Sequence, residues 1–193
     1  ADLAVHSAKD LPAAIAPGLT LAAFPERADP RDALIGREPG TRLEKLAGGA
    51  RVGTGSLRRG SQLRALRPDL EVVPLRGNVD TRLAKLDAGD YDAIILACAG
   101  LERLGLGDRI TAQLGPPDWL PAGTQGIIGL QCRAGDEDVF GAIVPLGDAQ
   151  AMVQARAERT VLAALQGSCQ VPLAVHAVLS DGTVRLQSMV SSV

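Results

Sequence analysis

Aromatic residues are scarce in this chain of 193 residues: Phe24, Tyr91, Trp119 and Phe140 are all there are, scattered along its length. Single-stranded nucleic acid is held by stacking bases on aromatic side chains, so that partner is excluded. Cysteines number three and none forms a CxxC pair, which argues against a disulfide framework or a zinc site. His6 and His176, the two histidines, stand 170 positions apart and leave a histidine-rich metal site without ligands. No apolar run approaches the roughly 20 residues of a membrane-spanning helix; the longest, Ala93 to Ala99, suits a buried strand. The expectation is a reduced, cytoplasmic protein with neither nucleic acid, membrane nor metal among its partners.

Lysine is as scarce as cysteine, with Lys9, Lys45 and Lys85 against 17 arginines. Arginine is the fork-shaped binder of carboxylates and phosphates, although a GC-rich genome produces the same bias. What is present otherwise is ordinary: 46% hydrophobic residues and a net charge of −2 describe a folded globular chain, not a disordered one. The first residues, ADLAVHS, lack an initiator Met and read as the middle of a strand, and the last, VRLQSMVSSV, stop inside an alternating pattern. The expectation is a fragment lacking both ends.

The middle of the chain alternates short apolar runs with amphipathic stretches, the pattern of a parallel α/β sheet. Arg51 to Gly53 reads as a strand end, Ser56 to Leu66 as a helix and Glu71 to Leu75 as a strand. Val79 to Ala88 then reads as a helix with Val79, Leu83 and Leu86 on one face, stopped by Gly89, and Tyr91 to Ala97 as a buried strand. Breaker-rich stretches flank this block, at Phe24 to Asp32 and at Gly115 to Gly123. They predict two crossings between lobes, with a cleft at the hinge. Near Gln150 begins a helix with Val153, Ala157, Val161 and Leu165 at four-residue spacing and Glu158 and Arg159 off that face. A loop and a hairpin around the Asp181–Gly182 turn follow.

Residues 51 to 82 hold seven arginines against Asp69, Glu71 and Asp80. Arg58 and Arg59 fall in the first turn of a predicted helix, and Arg76 and Arg82 bracket the next strand-to-helix junction. Cations at a helix N-terminus oppose the macrodipole, so local stability gives no reason to place them there. Each taken singly reads equally well as a solvated arginine, and neither Arg58 nor Arg59 is expected to belong to the core. Together they predict an anion site beyond the carboxyl ends of the strands. VGTGS lacks the P-loop lysine, so several carboxylates suit the cluster better than a nucleotide. Asp10 in VHSAKDLP reads as a helix cap or as a catalyst. Cys98 and Cys132 read as packed small hydrophobes, whereas Cys169 sits in a loop where a small molecule could reach its thiol.

Seven ordered motifs, VHSAKDLP, FPERADPRDA, VGTGSLRR, LRGNVDTRL, YDAIILACAGLERLG, LPAGTQGIIGLQCR and GSCQVP, together resemble the hydroxymethylbilane synthase, or porphobilinogen deaminase, family across nearly the whole chain. The resemblance implies an α/β fold of two periplasmic-binding-protein-like lobes, the first incomplete, plus part of a third α+β domain. The domains would be 1–26 with 127–144, then 32–120, then 149–193. It implies a transferase that deaminates porphobilinogen and couples four units head to tail, on a dipyrromethane cofactor held by a thioether to Cys169. Asp10 would be the catalytic carboxylate, stabilising cationic intermediates near the pyrrole N–H. Lys9, Ser56, Arg58, Arg59 and Arg82 would hold the cofactor's carboxylates. Arg76 and Arg103, with Thr54, Gly77 and Asn78 in the same turns, would bind the partners, porphobilinogen and the growing polypyrrole chain.

The chain departs from the family at Gly55, commonly Ser, at Gly123 to Ile127, commonly VGQGA, and at Gln131, commonly Glu. The piece by itself is expected to be inactive. A non-enzymatic small-anion receptor of the same two-lobed architecture is the alternative, and a reactive loop cysteine is of no use to it.

Overall fold

The computed structural model describes residues 1–165 and 172–191. Two strands, β1 (Ala4–Ser7) and β2 (Leu19–Ala23), are followed by β3 (Asp32–Gly36), β4 (Arg51–Gly53), α1 (Leu57–Leu66), β5 (Glu71–Val73) and α2 (Val79–Asp87). Next come β6 (Ala93–Ala97), α3 (Cys98–Arg103), β7 (Ala112–Leu114), β8 (Ile128–Arg133), α4 (Glu137–Ile143), α5 (Ala149–Ala164), β9 (Leu173–Ser180) and β10 (Thr183–Val190). Five strands form one sheet in the order β5-β4-β6-β3-β7, with β4 parallel to both its neighbours and β3 antiparallel to β6 and β7. In the other main sheet β8 returns from far along the chain to pair antiparallel between β1 and β2, with Ala4 opposite Gln131 and Leu19 opposite Arg133. This is an α/β fold whose chain passes from the three-stranded sheet to the five-stranded one through residues 24–31 and back through 115–127.

Strand periodicity splits the five-stranded core between its two faces. Ala33, Ile35, Ile94 and Leu96 pack on one face with Leu75, Leu83 and Leu86, while Leu34, Ala93 and Ile95 pack on the other with Val52, Leu63 and Trp119. Each fully buried Leu or Ile contributes about 1.5–3 kcal/mol relative to exposure, so both helix layers are fastened by sheet-facing aliphatics. In α2 the apolar face is the one expected, with Leu83 and Leu86 buried, and Gly89 ends the helix at φ +86°.

The apolar face read for α5 is wrong. Val153 is 36% and Leu165 48% exposed, whereas Ala151, Gln154, Ala155 and Glu158 are buried. The small side chains of Ala151 and Ala155 let α5 press against Ala8, Phe24 and Ile127 of the first lobe. It also packs against β9, which pairs with β10 in a two-stranded antiparallel hairpin. β9 is buried from Leu173 to Ala177, while β10 is largely exposed.

Candidate functional site

Two strand-to-helix turns lie side by side because β4 and β5 run parallel. The amide of Thr54 donates to the Val73 carbonyl at 3.0 Å and that of Leu75 donates to the Thr54 carbonyl at 3.3 Å. Ser56 caps α1, its Oγ accepting from the Arg59 amide at 3.4 Å, and Asn78 caps α2, its Oδ1 accepting from the Thr81 amide at 2.9 Å. These caps replace two of the backbone partners that helix starts lack. Thr54 Oγ1 accepts from the Ser56 amide at 3.2 Å, and Gly77 holds φ +121° at the head of the second turn. Gly55 is required by packing: a Cβ there would lie 2.7 Å from the Leu75 carbonyl oxygen. Glycine at this position therefore lets the two turns approach this closely.

Opposite these turns, β1 runs into a 3₁₀ turn, Ala8–Asp10, pinned by the Ala8 amide donating to the Ile127 carbonyl at 2.9 Å. Asp10 is exposed and caps no helix among the described residues. A cleft of about 660 Å³ lies between, lined by Lys9, Asp10, Gly55, Ser56, Arg58, Arg59, Arg76, Gly77, Arg82 and Gln125, with apolar walls from Leu11, Leu75, Leu162 and Leu173. Eight of the predicted site residues thus meet in one space, although they come from two lobes. Three do not line it. Thr54 is buried in the turn, Asn78 is occupied as a cap, and Arg103 donates to the Gly126 carbonyl at 2.9 Å. Cys169 lies outside the described residues; Leu162 and Leu173, on either side of it in the chain, both reach the cleft.

Arg58 and Arg59 are not the free, non-core arginines expected. They are 4% and 7% exposed, and both pair with Asp32, which is fully buried at the start of β3. Arg59 Nη2 lies 2.7 Å from Asp32 Oδ1 and Arg58 Nη2 2.8 Å from Oδ2. Burial alone would push the Asp32 carboxyl up, but the two guanidiniums outweigh it and hold it well below the usual carboxylate range. Asp32 and Gln125 escaped the sequence reading. Gln125 Nε2 donates to Asp32 Oδ1 at 2.9 Å and its Oε1 accepts from Lys9 Nζ at 3.4 Å, so one amide ties the cations of the two lobes together. The breaker pattern around Asp32 and the glycines flanking Gln125 marked these stretches only as crossings.

Crowded like charges shape the site. Burial first, and then Arg59, bring the Lys9 pKa down to about 8, while Asp10 beside it acts in the opposite direction. Arg82 is lowered by the same two causes. Arg58 Nε is buried without a partner among the described residues. Such an array can hold an anion with several carboxylates and set one exposed carboxylate, Asp10, against it.

Residues 1–140 match the family model described as porphobilinogen deaminase, dipyromethane cofactor binding domain, and residues 152–193 match the porphobilinogen deaminase C-terminal domain. The chain belongs to the porphobilinogen deaminase family. It is 55% identical over 191 residues to the porphobilinogen deaminase of Roseiflexus sp. (strain RS-1), covering 99% of this chain and 63% of the relative. To those of Syntrophobacter fumaroxidans and Stenotrophomonas maltophilia it is 52% identical over 192 residues, covering all of this chain and 62% and 63% of theirs. The chain thus spans less than two thirds of the length of these relatives. Among solved structures, a putative methionine-binding lipoprotein from Bacillus subtilis is 12% identical with a TM-score of 0.46, covering 69% of this chain and 63% of that one.

A dipyrromethane carries acetate and propionate groups, and the residues present fit it. Lys9, Arg76 and Arg82 turn to the cleft, and Arg58 and Arg59 form part of its wall. In a porphobilinogen deaminase the family's Gly-Gln-Gly segment is here Thr124-Gln125-Gly126. Thr124 keeps the left-handed backbone, φ +60°, that glycine adopts without strain.

Proposed function

We propose that the protein carrying this chain is a hydroxymethylbilane synthase, which joins four porphobilinogen units head to tail into a linear tetrapyrrole. Each coupling breaks the bond to the aminomethyl nitrogen, which leaves as ammonia, and forms a carbon–carbon bond to the free ring carbon of the preceding pyrrole, whose proton departs. The observation that carries the reading is the meeting of one exposed carboxylate, Asp10, with Lys9, Arg76 and Arg82 in a single cleft.

The dipyrromethane group, when bound, supplies the end on which the chain is extended. Lys9, Ser56, Arg58, Arg59 and Arg82 bind and orient its carboxylates, and Arg76 orients the incoming substrate's. Arg103, together with the turn residues Thr54, Gly77 and Asn78, keeps a supporting part: Arg103 ties the crossover to α3, and the others shape the anion turns. Asp10 stabilises positive charge developing on the pyrrole and accepts the departing ring proton, the kind of fixed electrostatic contribution that often dominates catalysis. Cys169 is the attachment point, a reading supported by Leu162 and Leu173 reaching the cleft from both sides of it. The same reading makes it a monomer acting in the cytoplasm, where three cysteines without a CxxC pair stay reduced.

The test uses the full-length protein incubated with porphobilinogen. Ammonia release, tetrapyrrole formation and a mass increase of two pyrrole units on the Cys169 peptide are expected. A protein that binds porphobilinogen with no turnover and retains Cys169 as a free thiol is the anion receptor instead.

A further inference from the structure

Asp32 is saturated with donors from four side chains. Its Oδ1 accepts from Arg59 Nε at 3.0 Å, Arg59 Nη2 at 2.7 Å and Gln125 Nε2 at 2.9 Å, while Oδ2 accepts from Trp119 Nε1 at 2.7 Å and faces Arg58 Nη2 at 2.8 Å. An ionised carboxylate offers about four lone-pair sites, so none is left for another donor. The arginines are anchored on their far sides as well, Arg59 Nη1 donating to the Ile95 carbonyl at 3.2 Å and Arg58 Nη1 to the Leu120 carbonyl at 2.7 Å. Yet both arginines line the cleft. Trp119, 2% exposed in the core beneath the sheet, prevents the carboxylate from swinging away.

We propose that Asp32 is a positioning residue that acts as a permanent counter-ion: cleft ligands meet only the guanidinium donors it leaves free and do not displace it. Arg58 and Arg59 then present one net positive charge to the cleft instead of two. Displacement would strip a fully buried carboxylate of its ion pairs, leaving an uncompensated charge in the interior. Arg76 is exposed and Arg82 half-buried, and neither has a carboxylate partner among the described residues, so they can meet a ligand carboxylate at far lower cost. Holding the pair ready also removes the ordering entropy that two free arginines would lose on binding.

The inference rests on the cleft being a carboxylate site, not on which carboxylate fills it. In the full-length protein labelled with ¹⁵N-arginine, the Arg59 Nε–H should give a slowly exchanging resonance. Saturation with citrate, and separately with porphobilinogen, should change its exchange rate less than twofold while the Arg76 and Arg82 signals move. Asp32→Asn should lose the slow resonance. Because that variant can fail to fold, Trp119→Phe is the second lever: with folding retained, it should speed Arg59 Nε–H exchange about tenfold. Exchange rising to the rate of Arg76 on citrate saturation, or left unchanged in Trp119→Phe, overturns the inference. A protected Arg59 with no consumption of porphobilinogen leaves the inference standing and removes the synthase reading; turnover with Arg59 released does the reverse.

Discussion

Arg27 Nη1 donates to Glu158 Oε1 at 2.7 Å, with the two side chains 7% and 0% exposed, so the crossover between the lobes is bolted to α5 by a buried ion pair. Glu158 also accepts from the Ala177 amide at 2.7 Å and from the Thr124 amide, which draws β9 and the Gln125 segment to the same point. Burial pushes the Glu158 carboxyl up, and Arg27 together with those amides pulls it back in part. Breaking such a pair on one side leaves a buried charge alone. Glu158→Gln should therefore cost about 3–5 kcal/mol in urea unfolding. The double variant Arg27→Met with Glu158→Gln should cost clearly less than the two single losses added together.

Lys9 sets a pH limit on the cleft. With its pKa lowered from 10.5 to about 8, it is charged below pH 8 and neutral above. Carboxylate binding should weaken as pH rises through 8, and Lys9→Arg, which stays charged, should carry binding to higher pH. The measurement is citrate affinity from pH 6.5 to 9.5. The linkage to stability has the opposite sense: a depressed folded-state pKa opposes folding below pH 8, an effect relieved as pH rises toward 10.5.

His176 works at the acid end. Burial first, and then Arg27, lower its pKa from 6.5 to about 4, and its Nδ1 lies 3.8 Å from Glu158 Oε1. The unfolded chain takes up this proton between pH 6.5 and 4 while the folded one does not, so stability present above pH 6.5 is lost as pH falls through that window. Melting temperatures at pH 7, 5.5 and 4.5 should fall less steeply in His176→Phe than in the unsubstituted protein.

Gly55→Ser, which restores the commoner family residue, should destabilise this chain. Its Cβ meets backbone, the Leu75 carbonyl oxygen at 2.7 Å, and two parallel turns would have to separate. Overpacking of this kind costs about 1–3 kcal/mol, visible as a lowered melting temperature. An unchanged melt would mean that the turns part freely.

Arg76 and Arg58 distinguish binding from folding. Arg76 is exposed, so Arg76→Leu should leave stability within about 0.5 kcal/mol while weakening citrate and porphobilinogen binding. Arg58→Leu removes a partner of the fully buried Asp32 and should lower stability as well as binding, measured by paired melts and titrations.

Much of the architecture was legible in order along the chain. The apolar run of β6, the helix beginning at Ser56, the Gly89 stop and the two breaker-rich crossings each express a local preference that survives folding. The face of α5 was not legible, because the helix packs on small alanines and a buried carboxylate, whereas the periodic Val153 and Leu165 are exposed.

The sequence by itself determined the family, through ordered motifs, and the concentration of arginine at the ends of two parallel strands. Only the tertiary structure decided what each arginine does. A charge is buried or free according to its partner, and these partners are distant in sequence: Asp32 for Arg59 across 27 residues, Glu158 for Arg27 across 131 and the Gly126 carbonyl for Arg103 across 23. Composition counts those side chains as equal cations, whereas burial beside a carboxylate makes Arg58 and Arg59 a fixed wall and leaves Arg76 and Arg82 to the cleft.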